Sequence, residues 1–420
     1  MSGLTVVGAA LDGVAVGVRS VDGVIAAIGP EVVPAAGDEV LDASGGVVLP
    51  GLVNGHTHAA MTLFRGYGDD LPLMQWLQEK IWPAEAKLTY DDVYWGTRLA
   101  VAEMLRSGTV RCWDMYWHGD AVAAAVVDGG MRAAVSSVVI DGLDAASGRA
   151  QRPDIVDQLD AIAAAGPRVT ASLGPHAVYT VSPETLTWIG DVARERGIPV
   201  QIHCSETEDE VADCRTAHGV SPVGLLDRCG LLGERTVLAH CVWIDDDDLD
   251  LIARSGSTIV TNPVSNAKLA VGGVFRTDAA ATHGIPVGLG TDGASSNNSL
   301  DLFSDVKFLA LEQKHELNDP AAMPATEAWA IVTGARAPSL GQSGRVAVGE
   351  PADLVVVRDD HGLLGPGDLV NNLVYAATGS VVAHVVVDGR VVVRDGAVDD
   401  EAEIRARAYE CAARLGITSA

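Results

Sequence analysis

Eight short apolar segments recur between residues 47 and 291, with stretches of helical length between them. They are Val47–Val53, Thr109–Tyr116, Arg132–Ile140, Arg168–Leu173, Pro199–Cys204, Thr236–Cys241, Thr258–Asn262 and Pro286–Thr291. Helical patterns fit between them, for example Asp91–Ser107 before the second and Pro183–Arg196 before the fifth. Eight strands alternating with helices over roughly 250 residues is the pattern of a (β/α)8 TIM barrel, an α/β fold. No internal repeat or low-complexity run competes with this reading.

The two chain ends have a different character. Residues 1–48 read as apolar strands broken at Asp12-Gly13 and Asp22-Gly23, and Val385 to Val393 reads as two strand halves joined at Asp388-Gly389. Asp-Gly between apolar runs is a hairpin signal. Both ends are therefore expected to build one small β-sandwich, from residues 1–48 and 341–398, around a barrel of residues 49–340. A closing amphipathic helix is expected over 399–420, where Ile404, Ala408, Cys411, Ala412 and Leu415 fall at helical spacing.

With 420 residues and 48% hydrophobic content the chain can bury a large core. Its formal charge of −27 argues against a phosphate-binding surface, so no nucleic-acid partner is expected. Six cysteines without a C-x-x-C pair fit reduced thiols and a cytoplasmic location. Neither a basic leader nor a membrane-spanning stretch is visible, so no membrane partner is expected. A homo-oligomer is left open.

A barrel carries its chemistry at the carboxyl ends of its strands, and metal-ligand residues fall there repeatedly. The first strand runs into His56-Thr57-His58, where residues two apart share one face and two imidazoles can grip one ion. The fourth leads to His176, the fifth to His203-Cys204-Ser205-Glu206, the sixth to His240 and the eighth to Asp292. Singly, each has an ordinary explanation: a surface histidine pair, a structural His240, an Asp292 that caps a helix. Together they offer the nitrogen and carboxylate donors that a zinc-type ion takes, with His56, His58, His203 and Asp292 as the set. Glu206 and His240 are left unspent, and Glu206, three residues past a ligand histidine, is placed to face the metal's water and move protons. In the acidic run that follows, Glu208, Asp209 and Glu210 read as solvated loop residues.

Pro50 to His58, His203 to Glu206, His240 and Gly290-Thr291-Asp292-Gly293 resemble the metal and catalytic motifs of the amidohydrolase superfamily. The match extends over nearly the whole chain, including Gly349 to Val355, which re-enters the sandwich. Within that superfamily, His58 to Gly66, Trp76-Leu77, Trp82 to Glu85, Asp114-Met115-Tyr116 and Asp292 to Asn298 are similar to the 5'-methylthioadenosine/S-adenosylhomocysteine deaminases. The resemblance implies one divalent metal ion, zinc in the first place, on His56, His58, His203 and Asp292. No barrel lysine that would bridge a second ion is identifiable. It also implies hydrolytic deamination of an adenosine-type nucleoside: water orientated and deprotonated by Asp292 and His240 attacks C6 of adenine, while Glu206 protonates N1. His240 then stabilises the new oxygen.

The substrate-facing residues implied are Trp76, Glu85, Arg149, His176 and the ligand His203, with Glu85 on the ribose hydroxyls, Trp76 as an aromatic wall and His176 near the purine edge. Trp76 fits a helix core equally well. Of two arginines expected for the carboxylate of S-adenosylhomocysteine only Arg149 aligns, the other position falling near Ser137. Two other readings stand beside this one. An aminohydrolase of guanine, a pterin or an s-triazine would have no purpose for a ribose-binding Glu85. A catalytically silent scaffold would not need the full ligand set.

Overall fold

The computed structural model describes residues 3–417. The outermost positions of the expected end segments, 1–2 and 418–420, lie outside the described residues. Eight parallel strands form one sheet in chain order: Leu52–Thr57, Thr109–Asp114, Arg132–Val139, Val169–Pro175, Val200–Cys204, Thr236–His240, Thr258–Thr261 and Val287–Leu289. The eighth strand returns to the first. Across that seam the Asp292 N–H donates to the His56 carbonyl at 3.0 Å, and the Asn54 side chain accepts from the Thr291 N–H at 3.1 Å and donates to Thr291 Oγ1 at 2.7 Å. The (β/α)8 barrel is thus nearly closed.

The run Val47–Val53, expected as one strand, is two. Val47–Pro50 pairs antiparallel with Leu354–Val357 in the second sheet, and the barrel begins only at Leu52. Pro50 has no N–H to continue a ladder. Gly51 is needed next because a Cβ there would collide with both methyls of Val110.

The second sheet draws on both chain ends, in the order Arg390–Val393, Val382–Val387, Leu354–Val357, Val47–Pro50, Leu4–Leu11, Val14–Val21 and Val24–Gly29, with Glu39–Asp42 parallel to Leu4–Leu11. Its hairpins turn at Asp12-Gly13 (φ 50°, 77°), Asp22-Gly23 (49°, 77°) and Asp388-Gly389 (55°, 70°). Two consecutive positive φ values match the strand twist, and Asp-Gly tolerates them. Strand alternation gives this sheet two interiors. Leu354 and Val356 pack with Leu4, Val6 and Val48, whereas Val355 and Val357 join the barrel core.

Helices cover the barrel. Tyr90–Arg106 starts in a capping box between Thr89 and Asp92, and Pro183–Arg196 is capped by Ser182 and stopped by Gly197 at φ 67°. The closing helix, Glu401–Arg414, buries Ile404 and Ala408. None of the helices among the described residues is long and apolar enough to cross a membrane. Inside the barrel, Trp113 packs with Val53, Ala134, Val237 and Val260 over Ala337 and Leu340, and its indole N–H donates to the Leu340 carbonyl at 3.1 Å. The lower lumen is therefore filled, and space for a ligand is left only above it, at the carboxyl ends of the strands.

Candidate active site

His56, His58, His203 and Asp292 meet there, with one donor atom from each within 4.8 Å of all the others. The side chains behind them decide which atoms face inward. His58 Nδ1 sits 2.6 Å from the Met115 carbonyl and His203 Nδ1 sits 2.8 Å from the His176 carbonyl, so each donates outward. His56 Nδ1 faces Gln201 Oε1 at 3.2 Å. The Gln201 amide NH2 is already used on the Asp114 carbonyl (2.8 Å) and Ser136 Oγ (2.7 Å), so its oxygen is the acceptor and His56 Nδ1 carries the proton. In their neutral form all three imidazoles thus turn a bare Nε2 toward one point.

That point is suited to a cation. His58 Nε2 and His203 Nε2 stand 3.2 Å apart, and Asp292 Oδ1 lies 3.1 Å from His58 Nε2 and 3.5 Å from His56 Nε2. Among the described residues His56 Nε2 and Asp292 Oδ1 are buried without a hydrogen-bond partner. Unpaired buried polar atoms are costly, and converging imidazole and carboxylate donors are what a zinc-type ion takes. The other Asp292 oxygen is fixed by Ser265 Oγ at 2.7 Å and Ser296 Oγ at 2.5 Å. Burial pushes the Asp292 carboxyl up, but His56 and His58 outweigh it and hold the group well below the ordinary range.

Glu206 and His240 flank this cluster, with Glu206 Oε1 3.8 Å from His240 Nδ1. The His240 ring is fixed by Asn266 Oδ1, 2.7 Å from Nδ1. Burial, and secondarily the charge of Asp292, lifts the Glu206 carboxyl to about 8, while burial lowers His240. Burial likewise takes His176 down to about 3, leaving a neutral ring whose Nδ1 is 2.9 Å from Thr180 Oγ1. Ser205, His240, Cys241 and Asp292 all hold left-handed φ values (50°, 73°, 51° and 60°) without being glycine. Such conformations persist only where the surroundings impose them, and they gather at functional sites.

Above the cluster opens a cavity whose lining includes Trp76, Leu77, Glu85, Val138, Ile140 and His176. The Trp117 indole N–H donates to Glu85 Oε2 at 3.2 Å. The model of the amidohydrolase family matches residues 47–392.

The chain belongs to the amidohydrolase family. The 5'-deoxyadenosine deaminase of Methanoregula boonei is 46% identical to it over 373 residues, 88% of this chain and 84% of the relative. The 5-methylthioadenosine/S-adenosylhomocysteine deaminase of Moorella thermoacetica is 44% identical over 357 residues, 84% of this chain and 83% of the relative. Among solved structures, an adenosine deaminase from Xanthomonas campestris with bound zinc superposes with a TM-score of 0.90 at 33% identity, over 99% of each chain.

In this amidohydrolase, nine of the ten residues singled out from sequence gather at the cavity or its metal cluster: His56, His58, Trp76, Glu85, His176, His203, Glu206, His240 and Asp292. Arg149 does not. It lies on the helix Ala145–Ala163, half exposed, with its guanidinium on Glu184 at 2.7 Å. Ser137 also faces away, its hydroxyl donating to the Ile155 carbonyl on that same helix. An arginine at 137 would point out of the barrel, and the residues that reach the cavity from this strand end are Val138 and Ile140. Glu210 is a correction too: it is buried, with both oxygens on backbone N–H groups. Thr207-x-x-Glu210 is a capping-box spacing that would have marked it. Gln201 was missed although it is two residues before His203 and so shares its inward face.

Proposed function

We propose that this chain is a hydrolase that deaminates the adenine ring of adenosine-type nucleosides bearing a small, uncharged 5' group, such as 5'-deoxyadenosine, 5'-methylthioadenosine or adenosine itself, to the inosine analogue and ammonia. The observation that carries the reading is one cavity whose lining brings together the metal cluster, Glu206, His240 and Glu85. The named relatives support it. One divalent ion, zinc in the first place, is proposed on His56, His58, His203 and Asp292; it supplies Lewis acidity that makes water a nucleophile near neutral pH.

The protein groups do the rest. Asp292 and His240 hold the attacking water and take up its proton, His240 through an Nε2 left bare because Nδ1 donates to Asn266. Glu206, protonated near neutrality, gives its proton to N1 as water adds to C6. The proton taken from water then passes to the exocyclic amine, the C6–N bond breaks, ammonia leaves, and the proton of the C6 hydroxyl returns to Glu206. The imidazolium of His240 stabilises the oxygen gained at C6. Glu85 accepts from the ribose hydroxyls, and the apolar wall of Trp76, Leu77, Val138 and Ile140 covers the remainder. Among the described residues the cavity lining holds no lysine or arginine to offset a 5' carboxylate or phosphate.

The partner is thus a small nucleoside, and the cytoplasm is the proposed compartment. The test is ammonia release from a panel of adenosine, 5'-deoxyadenosine, 5'-methylthioadenosine, S-adenosylhomocysteine, AMP, free adenine and guanine. The reading expects the uncharged nucleosides to lead. A free base turned over best would overturn the nucleoside assignment, and S-adenosylhomocysteine or AMP turned over best would overturn the charge argument.

A further inference from the structure

Glu206 stands in a buried site, yet among the described residues no hydrogen bond orients its carboxyl, and His240 Nδ1 lies 3.8 Å from Oε1. Its position must therefore come from the backbone that carries it. That backbone is held at three consecutive points. The Ser205 N–H donates to Glu210 Oε1 at 3.1 Å, the Ser205 carbonyl accepts from the Trp243 N–H at 2.8 Å, and the Glu206 N–H donates to Glu210 Oε2 at 2.8 Å. Ser205 itself is in the left-handed region at φ 50°, a conformation a serine keeps only under constraint.

Glu210 is the side chain that supplies two of those three points. It is buried at 5% exposure, on the first turn of the helix Glu208–His218, whose N-cap is the Thr207 side chain accepting from the Glu210 N–H. A capping glutamate in its usual arrangement returns to the N-cap N–H. Here the two oxygens also reach past the cap, to the two residues before it.

We propose that Glu210 is a positioning residue for the proton-transfer step: by clamping the Ser205 and Glu206 amides it fixes where the Glu206 carboxyl stands in the cavity. This rests on the proposed role of Glu206. The competing view is that Glu210 serves only the helix end.

Steady-state kinetics, bound metal and Tm of Glu210→Gln, Glu206→Gln and the double variant separate the two. A glutamine offers one acceptor oxygen for two amides and turns an NH2 on the other. The expected result for Glu210→Gln is a kcat lower by about 10- to 100-fold, the scale of a misplacement near 1 Å, with KM within about threefold and the metal retained. Because Glu210 acts through Glu206, the double variant should be no slower than Glu206→Gln alone. Glu210→Asp, which keeps the carboxyl group but is too short to span both amides, should show the same kcat loss and serves if the glutamine variant folds poorly. Thr207→Ala removes the helix cap alone and should lower Tm while leaving kcat within about twofold.

A near-normal kcat in Glu210→Gln beside a slow Glu206→Gln overturns the positioning role. So does a double variant slower than Glu206→Gln by the full single-variant factor, since that additivity belongs to a structural role. Near-normal turnover in Glu206→Gln would instead overturn the reading of Glu206 itself.

Discussion

At the floor of the barrel Arg132 reaches Asp353 at 2.8 Å and Asp388 at 2.7 Å, and the second Asp353 oxygen accepts the Asp388 N–H at 2.7 Å. These three charges satisfy one another, and the three residues tie the barrel to the sheet made by the chain ends. At the mouth the same chain leaves His56 Nε2 and Asp292 Oδ1 without partners, with Glu206 lifted to about 8 and Asp114 to about 6 by burial. Backbone strain divides in the same way. In the hairpins of the second sheet the left-handed residues are aspartates next to glycine in turns that demand them, whereas Ser205, His240, Cys241 and Asp292 hold such angles at strand ends where no hairpin requires them. Buried charge that is satisfied builds the fold, and buried charge that is left open is kept for a ligand.

The largest effect should come from closing the open cluster. Asp292→Asn keeps the shape but removes the anionic donor, which by the Lewis-acid contribution of several kcal/mol should cost at least about 10³-fold in kcat/KM, with bound metal reduced and the fold intact. Elemental analysis with a melting curve checks this. The parent should hold about one ion per chain, and two tightly bound ions, or a metal-replete active variant, would break the account of the mouth.

The converse experiment belongs to the floor. Arg132→Ala strands Asp353 in a buried site, and breaking a buried pair costs about 3 kcal/mol, or about 150-fold in the unfolding equilibrium. Denaturant unfolding should show that loss while kcat stays within about twofold. A large fall in kcat with unchanged stability would mean that the two ends are not separable.

A smaller effect is expected of the substrate. If Glu85 accepts from both ribose hydroxyls, a 2'-deoxynucleoside leaves a charged acceptor short of a donor, worth roughly 1.5 to 3 kcal/mol, or about 10- to 150-fold in kcat/KM. The same comparison in Glu85→Gln should narrow the gap. Equal rates for the ribo and deoxy substrates would remove Glu85 from the ribose.

The contrast between the ends also explains what was legible in the sequence. Barrel strands and ligands were, because apolar runs mark strands and the donors recur at the strand ends. The break at Pro50-Gly51 was hidden inside an apolar run that suits two sheets equally well. Arg149 was misread because its position in the chain is near the mouth, but the helix that carries it presents it to solvent and Glu184. Glu210 was misread because an acidic run looks solvated; its spacing from Thr207 marks it for a helix cap, and the location of the Ser205 and Glu206 N–H groups in space shows what it holds there. Inward polar residues such as Gln201 and Ser136 are set by strand parity, which sequence does contain, but their partners come from other strands.

The smallest effect tests whether the mouth is a cost to the fold, and it is read on protein stripped of metal. Burial raises Glu206 from an ordinary carboxyl value of 4.5 to about 8, so between those values the folded chain keeps a proton that the unfolded chain has released. Stability contributed by that proton is complete below pH 4.5, falls as pH rises, and is gone once pH has passed 8. Glu206→Gln carries no such proton and has no charge to bury. The variant and parent should therefore melt together at pH 5, and at pH 9 the variant should melt higher by at least about 2 °C, the shift that about 1 kcal/mol gives in a large domain. A parent that gains stability relative to the variant as pH rises would show that the Glu206 carboxylate is welcomed in the empty site, and the distinction between a paid-up floor and a strained mouth would fail at the residue on which it most depends.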